Sequence, residues 1–132
     1  MEGAAVILGI GLNFRASPEE AQALLAAMQI PPGTAIALPA FRASHRVADW
    51  LWRAGHALIA LHPVQLKGVV TPSQSDRILA LYGTGCLAEA CALCACGPGA
   101  ELAITRRLSP EGHITAALAV PHHPKDRQEA MA

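Results

Sequence analysis

The stretch that most constrains the fold runs from residue 6 to residue 20, where an apolar segment meets a glycine-containing loop and the start of a helix. The apolar run at residues 6–8 is typical of a fully buried strand. Gly9 and Gly11 allow the backbone to turn tightly or to approach a ligand closely. This stretch therefore predicts the strand–loop–helix junction at which an open α/β sheet usually holds its ligand.

The loop after this strand leads into a helix N-terminus. Asn13 contributes a polar group and Arg15 a cation. Ser17 is a favourable N-cap, Pro18 suits the first helical position, and Glu20 stands at the capping-box distance. Free backbone N–H groups and the helix dipole both favour an anion at such a position. The same pattern equally suits a turn that binds no ligand.

Apolar runs and turn signals divide the chain into alternating strands and helices. Alternation implies parallel strands with helices on both faces, and a final hairpin makes the sheet mixed. We therefore predict a three-layer α/β/α sandwich with a mixed, mostly parallel sheet that ends in an antiparallel hairpin. One domain covers residues 1–120, and residues 121–132 are expected to form a flexible tail. The predicted elements after the first strand are helix 18–29, strand 35–38, helix 46–54 capped by Ser44, strand 57–61, a helix ending at 82–83, helix 85–96, and strands 101–108 and 113–120.

Charge and composition exclude several classes of protein. The 132 residues carry 10 Lys plus Arg and 10 Asp plus Glu, and a net charge of zero argues against a nucleic-acid-binding protein. We see no secretory signal and no convincing transmembrane span. The four cysteines lie close together, from Cys86 to Cys96, which is unlike a disulfide framework and indicates a reducing, cytoplasmic setting.

The cysteine cluster does not have the spacing of a zinc site, which usually takes two ligand pairs from turns. We interpret the cysteines as small core residues and expect no metal and no cofactor. Cys86 is the exception, because it lies in the first turn after Gly83-Thr84-Gly85, where a helix N-terminus lowers the pKa of a thiol.

Glu89 is a single charge within an apolar helix. It either faces a polar cleft together with Thr71 and Ser73, where a raised pKa would make it a candidate acid or base, or it points to solvent. Thr71 or Ser73 is expected to cap the helix that ends at 82–83, and Thr84 is expected to cap the next one.

Motifs spread from about residue 6 to residue 119 are more specific together than singly. They are Gly9-Ile10-Gly11 with Arg15 and Ser17, the Arg42 loop, Thr71-Pro72-Ser73, Gly83-Thr84-Gly85 with Glu89-Ala90, and Ile114-Thr115-Ala116-Ala117-Leu118-Ala119. In this order they resemble the cobalamin biosynthesis family called CobE, which is similar to the C-terminal domain of CbiG. The resemblance implies an α/β/α domain and a role in building the corrin ring. Proteins of the CbiG type are associated with opening a lactone on a cobalt-precorrin and releasing acetaldehyde.

The resemblance also implies a site in which several loops bind the carboxylates of a corrin precursor at one edge of the sheet. Two departures from the family pattern stand out: Leu12 replaces a frequent cysteine, and Arg42 and His45 replace a lysine and an acidic residue. Arg42 keeps the cation, whereas the missing acid argues against proton transfer in that loop. The candidate catalytic residues are Glu89 and Ser73, and the candidate ligand-binding residues are Gly9, Gly11, Asn13, Arg15, Ser17, Arg42, His45, Thr71, Ser73, Gly83, Thr84, Gly85 and Cys86.

Three functions follow, in order of preference. The first is a cytoplasmic protein of cobalamin biosynthesis that binds a corrinoid or precorrin intermediate, with processing of the CbiG hydrolase type left open. The second is a carrier that passes such an intermediate between enzymes without chemistry. The third is a small phosphate- or nucleotide-binding protein. We expect neither a nucleic-acid nor a membrane partner, while a homodimer and contacts with other enzymes of the pathway stay open.

Overall fold

The computed structural model describes residues 5–122, so most of the predicted tail at 121–132 lies outside the described residues. Within this range the chain forms five strands, five α-helices and a short 3-10 turn at Ala40–Arg42. The strands are β1 (Ile7–Leu12), β2 (Ala35–Pro39), β3 (Leu58–Leu61), β4 (Glu101–Leu108) and β5 (Ile114–Val120). The helices are α1 (Pro18–Ala27), α2 (Arg46–Arg53), α3 (Pro63–Leu66), α4 (Asp76–Tyr82) and α5 (Leu87–Cys96).

The strands form one sheet in the order β3-β2-β1-β5-β4. β1 pairs in parallel with β2, and β2 with β3, while β5 pairs antiparallel with both β1 and β4. The predicted mixed α/β sheet and the closing hairpin are therefore confirmed, with parallel and antiparallel pairings equally represented. The last strand enters the middle of the sheet: Ile7 lies opposite Ala119, and Leu12 lies opposite Ile114.

The two faces of β1 bury different helices, because successive side chains of a strand point to opposite sides. Leu8, Ile10 and Leu12 belong to the larger core, which also contains the buried residues of α1 and α2. Ile7 belongs to a second core, which includes Ala90 and Cys91 of α5. The layers are thus α1 and α2 on one side of the sheet and α5 on the other.

Gly9 lies where α5 crosses β1. A Cβ atom at this position would be 2.0 Å from the carbonyl oxygen of Ala88 and 2.6 Å from the backbone nitrogen of Ala92. Both neighbours are backbone atoms of a helix, so neither can rotate away. The close approach predicted for Gly9 therefore exists, but the partner is α5.

Three predicted N-caps are shifted. α2 is capped by His45, whose Nδ1 accepts the N–H of Val47 at 3.0 Å, and the expected Ser44 precedes it. α4 is capped by Ser75, whose Oγ accepts the N–H of Ile78 at 3.3 Å. Cys86 occupies the N-cap position of α5 without a side-chain capping bond.

The expected caps of α4 and α5 are wrong because their hydroxyls are engaged elsewhere. Thr71 donates to the carbonyl of Ser73, Ser73 donates to Glu89, and Thr84 donates to the carbonyl of Val69. The predicted C-termini of these two helices are confirmed, since α4 ends at Gly83 in the left-handed conformation and α5 ends at Gly97.

Within residues 5–122, no single helix has both the length and the apolar character needed to cross a bilayer. α4 and α5 meet these criteria only when joined, and they are bent by 53° at the break between them.

Gly9→Ala is expected to lower the free energy of unfolding by about 2–3 kcal/mol, because the new methyl group overlaps the backbone of α5 and forces α5 off the sheet. Urea denaturation followed by circular dichroism measures the change. Gly33→Ala is the matched control, since its Cβ would meet nothing within 4 Å and only its φ of +82° is unfavourable. A Gly9→Ala loss no larger than the roughly 1 kcal/mol expected for that control would contradict this account.

Candidate functional site

A cleft lies at the edge of the sheet where β1 and β2 end and β5 begins. Leu12 and Pro39 mark the ends of the two parallel strands, and His113 immediately precedes β5. The remaining walls come from the 3-10 turn, from α4, from the start of α5 and from Arg106 of β4. The cleft therefore occupies the carboxyl edge of the parallel strands, where α/β sheets commonly bind ligands.

The lining of the cleft is cationic and partly aromatic. Arg42, Arg77 and Arg106 line it together with His113, and its described lining contains no Asp or Glu. Phe41 and Tyr82 form one wall, with their rings stacked 5.4 Å apart. Such a surface favours a ligand that carries both anionic groups and flat apolar area.

Three side-chain donors from residues 42–46 hold the backbone of residues 12–16. The Nε of Arg42 donates to the carbonyl of Leu12 at 2.8 Å, and the Nε of Arg46 donates to that of Ala16 at 2.9 Å. The Nε2 of His45 lies 2.9 Å from the carbonyl of Asn13. Because Nδ1 of His45 accepts the N–H of Val47, Nε2 is the donor, and the ring connects this loop to the start of α2.

Glu89 is fully buried and binds three donors. Its Oε1 accepts the N–H of Ser73 at 2.9 Å, and its Oε2 accepts the hydroxyl of Ser73 at 2.8 Å and the N–H of Arg106 at 2.9 Å. Of the two positions left open by the sequence, Glu89 thus adopts the one beside Ser73, but neither side chain lines the cleft. The carboxylate joins α5, the segment before α4, and β4.

Glu20 is a second buried carboxylate, in α1 on the opposite face of the sheet from Glu89. The N-terminus of α1 is capped as expected, with Ser17 Oγ accepting the N–H of Glu20 at 3.1 Å. The side chain of Glu20 does not return to Ser17 to complete a capping box. Instead it accepts the hydroxyl of Ser109 and the N–H of His113, and its Oε1 lies 3.1 Å from Nδ1 of His113. It thus attaches the turn between β4 and β5 to α1.

The pKa of Glu20 reflects opposing effects. Burial raises the pKa of this carboxyl, but the hydrogen bonds from Ser109 and His113 outweigh burial, so the pKa is lowered from its ordinary value of 4.5. Glu20 therefore stays ionised at neutral pH and acts as a fixed negative charge behind His113.

The cysteines do not behave as a reactive or metal-binding set. Burial raises the pKa of the Cys86 thiol and outweighs the lowering by the backbone N–H groups of Ala88 and Glu89 at the start of α5, so the predicted lowering of this pKa is wrong. Cys91 is also buried, and its thiol pKa is strongly raised for the same reason. Across residues 5–122, no group of three or more His, Cys, Asp or Glu side chains is arranged to hold a metal ion.

The structure brings some of the predicted ligand-binding residues together and separates others. Gly11, Asn13, Arg42, Gly85 and Cys86 line the cleft. The remaining candidates lie outside its lining: Gly9, Arg15, Ser17, His45, Thr71, Ser73, Gly83 and Thr84. The binding role of every candidate stays a prediction.

The sequence interpretation missed His113, Phe41, Tyr82 and Thr115 as cleft residues. His113 reaches the cleft because β5 pairs with β1, which also brings the N–H of Asn13 within 3.0 Å of the carbonyl of His113. A hairpin at the end of the chain gives no local signal of the strand that it will join.

A comparison with known protein families gives a match over most of the chain. The family described as cobalamin synthesis G C-terminus matches residues 6–119. The chain belongs to this family. It is accordingly a protein of the cobalamin biosynthesis pathway, as the motif resemblance predicts.

Two solved structures agree with the fold of this cobalamin synthesis G C-terminal domain. The first is CobE, a protein from the cobalamin (vitamin B12) biosynthetic pathway, with 23% identity, a TM-score of 0.71 and coverage of 89% of this chain and 93% of that one. The second is the cobalamin biosynthesis protein chiG from Agrobacterium tumefaciens str. C58, with 21% identity, a TM-score of 0.67 and coverage of 90% and 100%. A comparison with curated protein sequences finds no match.

Glu20→Gln is expected to lower the free energy of unfolding at neutral pH by about 1–3 kcal/mol, because it removes the charge that accepts three hydrogen bonds. A carboxyl whose pKa is lowered on folding stabilises the protein above its unfolded pKa, and this contribution is lost as the pH falls through the folded value. The difference from the wild type should therefore shrink under acidic conditions. Urea denaturation over a pH series measures it.

The exposed neighbour Glu19 provides the control for this series. Glu19→Gln should differ little from the wild type at any pH. A Glu20→Gln deficit that stays constant from neutral to acidic pH would contradict the assignment of an ionised, hydrogen-bonded Glu20.

Glu89→Gln is expected to lower the free energy of unfolding by about 2–4 kcal/mol. The NH2 group of the new amide would face an N–H or O–H donor whose hydrogen bond a carboxylate oxygen accepts in the wild type. Thermal or urea unfolding measures this loss. Glu101→Gln, at an exposed position at the start of β4, is the control and should be nearly neutral. Wild-type stability in Glu89→Gln would show that the three hydrogen bonds to Glu89 do not hold the segment before α4.

Proposed function

We propose that this cobalamin biosynthesis protein binds a carboxylate-rich corrin intermediate in the cleft at the carboxyl edge of β1 and β2. The observation that carries the proposal is the composition of the cleft lining. Among the described residues, this lining contains Arg42, Arg77, Arg106 and His113 but no Asp or Glu. Corrin precursors carry acetate and propionate groups around a large flat ring, and guanidinium groups are suited to carboxylates.

The aromatic wall supports the same class of ligand. Phe41 is 41% exposed although it stacks on Tyr82, so part of its surface is available to a flat apolar partner. The cleft encloses about 230 Å³. That volume is below the roughly 300–1,000 Å³ of typical small-molecule sites, so a tetrapyrrole would rest in the cleft by one edge and leave the rest outside.

Binding without chemistry is favoured over the lactone-opening activity associated with CbiG. Glu89 and Ser73, the candidate catalytic pair, bind each other and stand outside the cleft lining. The Cys86 thiol, which does line the cleft, has a raised pKa and is a poor nucleophile. A carrier that holds an intermediate for a partner enzyme in the cytoplasm is therefore our preferred form of the proposal.

An absorbance titration with purified corrinoid intermediates tests the proposal. At least one intermediate should change its spectrum on addition of protein and co-elute with it in gel filtration. Arg77→Ala should weaken that binding about tenfold, the equivalent of one charge-assisted contact, because Arg77 is an exposed side chain of the cleft wall.

The control for this variant is Arg53→Ala. Arg53 lies outside the cleft lining, at the end of α2, where it forms an exposed ion pair with Asp49 at 3.0 Å. Its loss should leave the affinity unchanged. If no intermediate changes its spectrum or co-elutes with the protein, the proposal is refuted. Equal losses of affinity in the two arginine variants would show that the cleft is not the site.

A further inference from the structure

The pair formed by Glu20 and His113 is unexplained by the proposed carrier role. A buried carboxylate is costly unless it is bonded, and Ser109 and the backbone of His113 already bond to Glu20. The additional contact between Glu20 Oε1 and Nδ1 of His113, at 3.1 Å, orients an imidazole that lines the cleft. Attachment of the turn alone would not require the ring.

The contact with Glu20 fixes which nitrogen of His113 carries the proton. The carboxylate of Glu20 is an acceptor, so Nδ1 of His113 must be the donor. Within residues 5–122, Nε2 of His113 has no hydrogen-bond partner. The side chain retains 25% of its exposure. Nε2 is therefore the atom of this pair that can meet a ligand or take up a proton.

We infer that anion binding in the cleft is proton-coupled: when a carboxylate enters, Nε2 of His113 takes up one proton from solvent and donates it in a hydrogen bond to the ligand. Glu20 is the positioning residue, because it holds the ring and supplies the counter-charge for the imidazolium. No covalent bond changes, and the proton returns to solvent when the ligand leaves. The inference rests on the proposed function only in taking the ligand to be a carboxylate anion.

The charges around His113 support a proton equilibrium that responds to the ligand. Glu20, from α1, favours the protonated ring. Arg42 beside β2, Arg77 of α4 and Arg106 of β4 line the same cleft and disfavour it. Glu111, in the turn that carries His113, is exposed and screened by water. An entering carboxylate neutralises the arginines and leaves the attraction of Glu20 unopposed.

Isothermal titration calorimetry with trimesate tests the inference. Trimesate is a flat benzene ring bearing carboxylates that stay ionised throughout the range used, so the ligand itself contributes no proton linkage. The wild type should bind it roughly fivefold more weakly at about pH 8 than at about pH 6, because binding that takes up a proton weakens as the proton concentration falls. Titrations in buffers of different ionisation enthalpy should show uptake of a proton.

Two variants test the contributions of His113 and Glu20 separately. In His113→Asn, the affinity should be nearly equal at the two pH values, and proton uptake should disappear. In Glu20→Gln, uptake should fall while the side-chain shape is kept. The controls are His62→Asn and Glu19→Gln, two exposed residues outside the cleft, which should behave as the wild type.

A measurement on the wild type covers the case in which a variant fails to fold. Nitrogen-15 NMR of the imidazole should show Nδ1 protonated in the free protein and both nitrogens protonated when trimesate is bound. A proton on Nε2 alone in the free protein, an affinity that is equal at both pH values, or proton uptake that persists in His113→Asn would overturn the inference. So would a lack of trimesate binding at about pH 6.

Failure of the proposed function gives a different result. If trimesate binds with proton uptake but no corrinoid intermediate binds, the anion site stands and its assignment to a corrin is wrong. If corrinoids bind with an affinity that is independent of pH, the proposed function stands and the inference is wrong.

Discussion

The approach of α5 to the backbone of β1 is the constraint on which the remaining structure depends. It requires that residue 9 carry no side chain, because a Cβ there would overlap the carbonyl of Ala88. α5 then crosses the sheet close enough to contact every strand and to place Gly85, Cys86 and Leu87 at the end of β1. A helix held even slightly farther away would leave this end of the sheet without its cleft wall. The glycine of the first strand thus shapes the cleft without lining it.

Two buried carboxylates on opposite faces of the sheet perform the same task. Glu89 binds the segment before α4 and β4, and Glu20 binds the turn before β5. Each is surrounded by backbone N–H and hydroxyl donors, which offsets the cost of removing its charge from water. Carboxylates used in this way rigidify the frame and keep negative charge out of the cleft, so that the arginines of the lining face an incoming ligand without internal competitors.

Much of the fold could be predicted from sequence because its signals are local. The cap at Ser17, the helix ends at Gly83 and Gly97 and the final hairpin each follow from a few neighbouring residues. The first strand is longer than the predicted 6–8: it runs from Ile7 to Leu12, so Gly9 and Gly11 lie within the strand and not in the predicted loop. The caps formed by hydroxyl groups were less predictable. Ser73 and Thr84 stand close enough to a helix N-terminus to cap it, but their hydroxyls donate instead to Glu89 and to the carbonyl of Val69. The site was least predictable. His113 reaches it through the pairing of β1 with β5, and the residues near His113 do not indicate which strand β5 will pair with.

That pairing has a consequence for how the chain reaches its native state. β1 lies at the centre of the sheet, yet its neighbour on one side is formed by residues 114–120, so this partner is synthesised last. Until then, β1 presents an unpaired hydrogen-bonding edge, and β4 lacks the strand through which it joins the sheet. Shortened chains that end before β5 therefore keep an open edge of the kind that recruits other molecules, and they are aggregation-prone. The pairing of β1 is therefore completed only after β5 has been synthesised.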